Sequence, residues 1–182
     1  MHPKSGRLLI SDPFLMDPNF KRTVILLCEH EREGTLGFVL NKPLDLTLAD
    51  AVPELDNFIG TLYYGGPVQT DTLHFIHTRG DLIEDSVELM DGLFWGGNFE
   101  LLKILIETDQ IEEEDFRFFM GYSGWGPGQL RDEIDSKSWL VTEANQEHVF
   151  IEDTYELWRS VIQTERSDYA AISNFPENPS LN

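Results

Sequence analysis

The residues best placed for chemistry lie in a glycine-rich segment, residues 121–130, which has the sequence GYSGWGPGQL. A serine between glycines resembles the nucleophile elbow of a serine hydrolase. Glycines ahead of a helix are also found in loops that bind phosphate through backbone amides. Glycine tolerates positive φ and lets another backbone approach closely, so the segment predicts an unusual chain path from a strand into a helix.

The segment misses the hydrolase elbow by one residue. That elbow needs Gly-x-Ser-x-Gly, but Trp125 stands where the last glycine belongs, and Gly126 comes one residue late. Ser123 could still act with His74 or His77 as its base, because catalytic triads assemble in space. A structural serine in a turn is the simpler interpretation, and the sequence predicts no catalytic residue.

The same segment departs from the known phosphate-binding loops. Gly121 and Gly126 have the Walker spacing, but Pro127 replaces the essential lysine, and Gln129 replaces the third glycine of the dinucleotide fingerprint. Backbone amides ahead of a helix at Gln129 could nevertheless hold an anion. The candidates for contact with a ligand or partner are Tyr122, Ser123, Gly124, Trp125, Gly126 and Gln129.

Two tryptophans beside glycines are interpreted as exposed. Trp95 precedes Gly96 and Gly97, and Trp125 lies within its own glycine cluster. Large rings on tight backbone either fill gaps in the packing or form a recognition surface, and we expect a ligand or partner surface around Trp125. Trp139 and Trp158 are assigned to the core.

A second set of candidates lies at the ends of predicted strands. Asp17, His30 and Asn41, together with Glu29, would come together if the first three strands pair, which would place carboxylate and imidazole groups side by side. The alternative is that these side chains cap turns. Cys28 and His30 share one face of a predicted strand, but two ligands do not make a metal site, so neither a metal nor a cofactor is predicted.

The composition predicts one globular domain with an acidic surface. The chain has 182 residues and a net charge of −20. Residues 1–50 hold six Lys or Arg and seven Asp or Glu, which leaves −19 for the remainder. Because binding to a nucleic-acid duplex requires several cationic contacts with phosphates, direct nucleic-acid binding is disfavoured. A small balanced patch could still face an anion, and it contains Lys4, Arg7, Lys21 and Arg22.

The sequence also favours a cytoplasmic protein without membrane contact. The only cysteine is Cys28, so no disulfide forms within the chain, which suits a reducing compartment. The first residues lack the apolar core of a signal peptide, and the longest apolar runs are too short to cross a bilayer.

Hydrophobic patterns and turn residues predict an α+β fold. Residues 1–166 are expected to form a single domain, and residues 167–182 a polar C-terminal tail. The predicted helices are 48–55, 99–107, 129–136 and 153–162. The predicted strands are 7–11, 23–30, 36–40, 62–64, 73–77, 86–90, 116–122, 139–141 and 149–151. The second strand is apolar on both faces and therefore central, and Pro43 is expected to end the third.

Several motifs, in order and spacing, resemble the AlgH/YqgE family of small bacterial cytoplasmic proteins. The resemblance runs from about residue 6 to residue 163, and residues 169–182 are similar to the tail of the Bacteroidetes-type members. The motifs are GRLLI (6–10), DPNF (17–20), EH (29–30), GFVLNKP (37–43), GGPV (65–68) and GYSGWGPGQL (121–130).

The resemblance implies an α+β domain on a coiled, bifurcated sheet, mixed but mostly antiparallel, with flanking helices. The family carries the label of a transcriptional regulator on genetic grounds, without an established ligand or reaction. We therefore expect a non-enzymatic regulatory or adaptor domain that acts indirectly on transcription through a protein partner or a small ligand. The alternative is a hydrolase, or a nucleotide- or phosphate-binding enzyme, that uses the turn at 121–128.

Overall fold

Strands and helices alternate irregularly along the chain. The computed structural model describes residues 1–56 and 58–166, so the tail expected at 167–182 lies outside the described residues. The strands are β1 (Arg7–Ser11), β2 (Val24–Glu31), β3 (Gly34–Val39), β4 (Pro43–Thr47), β5 (Thr61–Tyr64), β6 (Val68–His77), β7 (Val87–Met90), β8 (Leu93–Trp95), β9 (Phe116–Trp125) and β10 (Trp139–Glu143). The helices are α1 (Leu48–Ala51), α2 (Phe99–Glu107), α3 (Gln129–Asp135), α4 (Gln146–Phe150) and α5 (Thr154–Glu165), with 3-10 turns at Pro53–Leu55 and Glu113–Asp115.

In the described residues, the strands form one mixed sheet of ten strands with the order β10-β1-β2-β3-β9-β6-β8-β7, and β4 and β5 branch from it. The pairs are antiparallel except β5 with β9, which is parallel. The α+β single-domain fold predicted from the sequence is therefore confirmed, including the mostly antiparallel sheet.

The sheet divides at β9. One edge of β9 pairs with β6, while the other pairs first with β5, at residues 118–120, and then with β3, at residues 123–125. Gly121 lies between these two stretches and has a φ of 67°. Gly65, immediately after β5, donates its N–H to the carbonyl oxygen of Met120 at 2.9 Å. The glycine-rich segment thus begins at the branch point, where two backbones come into direct contact.

The sheet also coils until its far strand reaches the first one. A Cβ added to Gly6, just before β1, would lie 2.3 Å from the carbonyl oxygen of Leu89 in β7. Real side chains do not approach carbonyl oxygens this closely, so only glycine permits the contact. The coiled sheet implied by the family resemblance is present.

The first three strands are buried on both faces, as predicted for β2. Leu8 and Leu26 face a core covered by α4 and α5, whereas Leu9 and Ile25 face a second core beside α3. A third core lies between α2 and the β5–β9–β6 region. Such double burial explains why these strands are almost continuously apolar.

One predicted strand is wrong, and one observed strand beside it was not predicted. The strand predicted at 149–151 falls mostly within α4, because Asn145 caps that helix and accepts the N–H of His148 at 2.8 Å. The third strand ends at Val39, before Pro43, as predicted, but Pro43 then begins the unpredicted strand β4. This position tolerates proline because β4 pairs only with β5 and is an edge strand.

Candidate functional site

Ser123 lies in the interior and forms a hydrogen bond beside the branch of the sheet. Its side chain is fully buried, and its Oγ donates to the carbonyl oxygen of Gly65 at 3.0 Å. His74 pairs through Nε2 with the Thr72 hydroxyl at 3.0 Å, and within the described residues no histidine hydrogen-bonds Ser123. The geometry is that of a structural serine and gives no support to a hydrolase built on it.

Trp125 is buried, so the expectation of an exposed ring is wrong. Its side chain is 5% exposed and stacks on Phe20 with ring centroids 6.2 Å apart. The indole N–H groups of Trp125 and Trp139 donate to the same oxygen of Glu133, at 2.9 and 2.8 Å. The glycines let the chain turn inward here, and one carboxylate satisfies both buried donors. Trp95 is half-buried and packs against the core.

The exposed part of the segment is engaged internally. Gly124, Gly126 and Gln129 are exposed, and Tyr122 is half-buried. Gln129 accepts the Gly126 N–H at 3.0 Å and donates to Glu133 at 2.8 Å. An anion at this turn would therefore compete with an existing side-chain cap next to a carboxylate. A binding role for these residues remains a prediction that this geometry does not favour.

A second serine–histidine pair, unforeseen from the sequence, also lacks the geometry of a catalytic dyad. Ser86 Oγ lies 3.1 Å from His77 Nε2. Because His77 Nδ1 accepts the Arg79 N–H at 3.1 Å, the proton of the neutral ring sits on Nε2, which donates to the Gly96 carbonyl at 2.9 Å. Nε2 therefore has no lone pair to receive the serine proton.

His77 makes stability depend on pH. Burial lowers its pKa, so the folded protein holds it neutral while the unfolded chain protonates near pH 6.5. We expect its contribution to stability to be full above pH 6.5 and to fall as the pH drops, by up to ~1.4 kcal/mol per pH unit, until the folded-state pKa is passed.

Urea unfolding of the wild type and of His77→Gln between pH 7.5 and 5.5 measures this contribution as a difference. The exposed His2 provides the control His2→Gln, which should follow the wild type. A constant difference between His77→Gln and the wild type across the range would contradict the prediction.

No metal centre emerges from the described part of the chain. No group of three or more His, Cys, Asp or Glu side chains is placed there to hold a metal ion. Cys28 is buried and its pKa is raised, mainly by that burial. In residues 1–56 and 58–166, no helix is long and apolar enough to span a membrane.

Asp17 and Asn41 each hydrogen-bond the backbone of the loop between β1 and β2, whereas His30 lies elsewhere. Asp17 Oδ1 accepts the Asn19 N–H at 2.8 Å, and Asn41 Nδ2 donates to the Arg22 carbonyl at 2.9 Å. Both therefore shape the loop between β1 and β2. His30 pairs with Thr35 at the opposite end of β2. At ~3.3 Å per residue, that end is roughly 20 Å away, so the expected convergence of all these side chains does not occur.

Lys42 and Tyr64 both donate hydrogen bonds to the loop between β1 and β2. Lys42 Nζ donates to the carbonyl oxygens of Pro18 and Asn19 at 3.1 and 2.8 Å, and the Tyr64 hydroxyl donates to Asn19 Oδ1 at 3.0 Å. Lys42 Nζ also lies 5.8 Å from the centre of the Tyr64 ring. The DPNF motif, the end of the GFVLNKP motif and Tyr64, which precedes GGPV, thus meet in one place.

A cavity of about 410 Å³ opens beside this contact, and we call it the Arg22–Lys42 cavity. None of the described residues that line it is acidic. Burial, with a smaller effect of Asp17, raises the pKa of Tyr64 and keeps its phenol neutral. The residues lining the cavity are Arg22, Asn41, Lys42, Pro43, Leu44, Tyr64 and Tyr155.

Arg22 adopts a backbone conformation that is unfavourable for its residue type. Its φ is 51°, in the left-handed region, which costs a non-glycine residue roughly 1 kcal/mol. The side-chain amide of Asn41 donates a hydrogen bond to the carbonyl oxygen of Arg22. The guanidinium carbon of Arg22 lies 5.2 Å from the centre of the Trp158 ring. Such strain persists where surrounding contacts enforce it, and it is concentrated at functional sites.

Sequence reasoning found Asp17 and Asn41 and noted Arg22, but it missed Lys42, Tyr64 and Tyr155. A signal for Lys42 existed, since it is a lone cation between a strand and a proline in an acidic chain. Tyr64 and Tyr155 carry no comparable signal, because their proximity depends on the tertiary fold.

The sequence model of the AlgH-like family matches residues 8–170. The chain belongs to the AlgH-like family. A UPF0301 protein of Chlorobaculum parvum is 46% identical to this AlgH-like chain over 179 residues, covering 98% of the chain and 96% of that protein. A UPF0301 protein of Cytophaga hutchinsonii is 43% identical over 179 residues, covering 97% and 98% respectively.

Solved structures agree with the fold of this AlgH-like chain. The AlgH protein from Pseudomonas aeruginosa has a TM-score of 0.74 at 27% identity and covers 98% of this chain and 100% of its own. A protein from Corynebacterium diphtheriae has a TM-score of 0.80 at 24% identity, covering 96% and 94%. This chain therefore shares its overall fold with both proteins.

Proposed function

We propose that this AlgH-like protein is a non-enzymatic regulatory or adaptor domain that binds a small anionic ligand in the Arg22–Lys42 cavity and acts on transcription indirectly. The observation that supports the proposal is that the DPNF and GFVLNKP motifs and Tyr64 meet beside a cavity lined by two cationic side chains. Among the described residues that line this cavity, none is acidic, although the chain as a whole carries a charge of −20.

The local charges outweigh the distant ones for a small anion. A unit charge 4 Å from a cation near a protein surface gains about 4 kcal/mol at an effective dielectric constant of about 20. Exposed carboxylates beyond about 8 Å are largely screened at physiological ionic strength. A small anion in the cavity is therefore attracted by Arg22 and Lys42 and repelled by Asp17, whose charge acts on Tyr64. A long polyanion such as duplex DNA would also meet the remaining acidic surface.

The residues lining the cavity favour binding over catalysis. They include no serine, cysteine, histidine or carboxylate among the described residues, and the raised pKa of Tyr64 makes it a poor base at neutral pH. Together with the structural roles of Ser123 and His77, this supports the non-enzymatic proposal.

The test is a titration of the full chain with inorganic phosphate, pyrophosphate and citrate, followed by thermal shift and calorimetry. Ligands that bind the folded state raise its melting temperature. We expect Arg22→Gln and Lys42→Gln each to weaken binding at least about 10-fold, or ~1.4 kcal/mol, because desolvation of the charges offsets most of the ~4 kcal/mol of Coulomb attraction.

The control is Lys4→Gln, which removes the same charge at an exposed position outside the lining. Because Lys42 also supports the loop, Arg22→Lys serves as a second variant that keeps the charge and should retain most of the affinity. The proposal fails if none of the three anions binds the wild type, or if Lys4→Gln and Arg22→Gln weaken binding equally.

A further inference from the structure

The sheet ends at β10 on one side, and the backbone along the outer edge of this strand is unpaired. Strand β10 pairs with β1, and within the described residues no other strand lies beside it. The Asp12 N–H donates to the carbonyl oxygen of Ser138 at 2.9 Å, and hydrogen-bonded positions alternate along an antiparallel pair. Every second residue of β10 therefore points its backbone N–H and C=O groups away from β1. These residues are Trp139, Val141 and Glu143.

Two of these outward-facing residues are buried. Trp139 and Val141 are 4% and 5% exposed, and in residues 1–56 and 58–166 no hydrogen bond forms to their outward N–H or C=O groups. Buried backbone polar groups are nearly always paired, because an unpaired group loses its hydrogen bonds to water without replacement. The edge therefore requires a partner that offers donors and acceptors at the spacing of a strand.

A cavity of about 310 Å³ follows this edge, and we call it the β10 cavity. Residues 139–141 line it in succession, and because successive side chains of a strand point to opposite faces, the space that all three share lies along the strand edge. Ile134 from α3 and Ile162 from α5 add apolar walls on the two sides of the sheet. Unpaired backbone groups between apolar walls are what an added β-strand binds.

The chain leaves α5 beside the same cavity. Glu165, the last residue of α5, accepts the Thr142 hydroxyl at 2.7 Å, and the next residue, Arg166, lines the cavity. Residues 167–182 follow in the sequence, and the AlgH-like family model matches as far as residue 170. The family's sequence pattern thus continues past α5, from the point where the chain reaches the open edge.

We propose that residues 167–172 bind the outer edge of β10 as an added strand. They contain no proline, so each can donate a backbone N–H, and they include Tyr169 and Ile172, which favour strands. Attachment to α5 keeps the segment at a high effective concentration at this edge, which favours it over a separate chain. The added strand also shields an edge that would otherwise be open to pairing with a second molecule.

The starting point of the segment sets its direction. A chain that leaves α5 beside Thr142 passes Val141 before Trp139, so it runs antiparallel to β10. Its N–H and C=O groups then bond to those of Val141 and Trp139. Side chains on one face of the added strand meet Ile134, and those on the other face meet Ile162.

NMR of the full chain tests both the occupant of the edge and its direction. We expect nuclear Overhauser contacts between residues 139–143 and residues 167–172, in the pattern of an antiparallel pair. The outward N–H of Val141 should be protected from exchange with solvent, as is usual for a paired strand and not for an open edge.

Proline variants separate pairing from simple burial. Adjacent residues of a strand point their N–H groups in opposite directions, so either Ala170→Pro or Ala171→Pro removes a donor to β10, whichever register the segment adopts. That variant should speed exchange of the Val141 N–H at least about 10-fold, and the other variant should have a smaller effect. The Leu140 N–H faces β1, and its protection reports that the domain remains folded. The control Ser180→Pro lies outside the segment and should match the wild type.

Three results would overturn the proposal. The first is the absence of Overhauser contacts between residues 139–143 and residues 167–172 in the wild type. The second is an exchange rate at Val141 that neither proline variant changes. The third is contacts that form only between differently labelled molecules and increase with protein concentration, because these would assign the edge to a second copy of the chain.

Discussion

Replacement of Gly121 by alanine is expected to destabilise the protein by about 3 kcal/mol or more. Two effects add at this position. The φ of 67° is unfavourable for alanine, and the new Cβ would lie 2.7 Å from the carbonyl oxygen of Gly66 and 2.9 Å from that of Val68. Both oxygens belong to the backbone and cannot move without disturbing the pairing of β6 with β9. Urea unfolding monitored by tryptophan fluorescence measures the loss.

The same segment provides matched controls. Gly128 has a φ of 79° with no atom near an added Cβ, so Gly128→Ala should cost only the backbone contribution, about 1 kcal/mol. At Gly126 the nearest atom to an added Cβ is 3.9 Å away, and Gly126→Ala should change stability by less than ~0.5 kcal/mol. A cost for Gly121→Ala no greater than that for Gly128→Ala would refute the tight backbone crossing.

Substitution of Trp125 by alanine should cost about 3–5 kcal/mol, the usual loss for a buried aromatic side chain. The ring fills the space between Phe20 and Trp139, and its N–H donates to Glu133. Trp125→Phe keeps most of the packing and should cost about 1–2 kcal/mol, because it forfeits the hydrogen bond and part of the ring. Urea unfolding of both variants gives these values.

A ligand titration decides between packing and recognition at Trp125. If the ring is structural, Trp125→Phe should bind inorganic phosphate as the wild type does, because Trp125 does not line the Arg22–Lys42 cavity. If Trp125→Phe kept its stability but lost phosphate binding, the result would contradict a packing role and support the recognition surface predicted around Trp125.

Local signals explain the parts of the fold that were predictable. The helix predicted at 99–107 coincides with α2, because Asn98 caps it by accepting the Leu101 N–H at 3.0 Å. The double-faced apolar pattern of residues 23–30 identified β2 as a buried strand. Both features depend on residues close together in sequence.

The remaining features depend on contacts between distant segments. Trp125 is interior because Phe20 and Trp139 reach it from other elements, and neighbouring glycines contain no information about those partners. Similarly, the Arg22–Lys42 cavity exists because a loop, a strand end and the first turn of α5 meet, with Tyr155 contributed from the far end of the domain. Asp17 and Asn41 could be proposed as candidates from their positions at strand ends, but the proximity of Lys42, Tyr64 and Tyr155 could not.

The order of the strands has a consequence for synthesis on the ribosome. Residues 7–11 pair with residues 139–143, and residues 35–37 pair with residues 123–125. The N-terminal strands therefore cannot complete their pairing until these later strands are synthesised. Long-range pairings of this kind form slowly because loop closure precedes any gain from contacts. The apolar β1–β2–β3 unit therefore lacks its edge partners β9 and β10, and the helices α3, α4 and α5 that cover its two faces, until the last third of the chain is made.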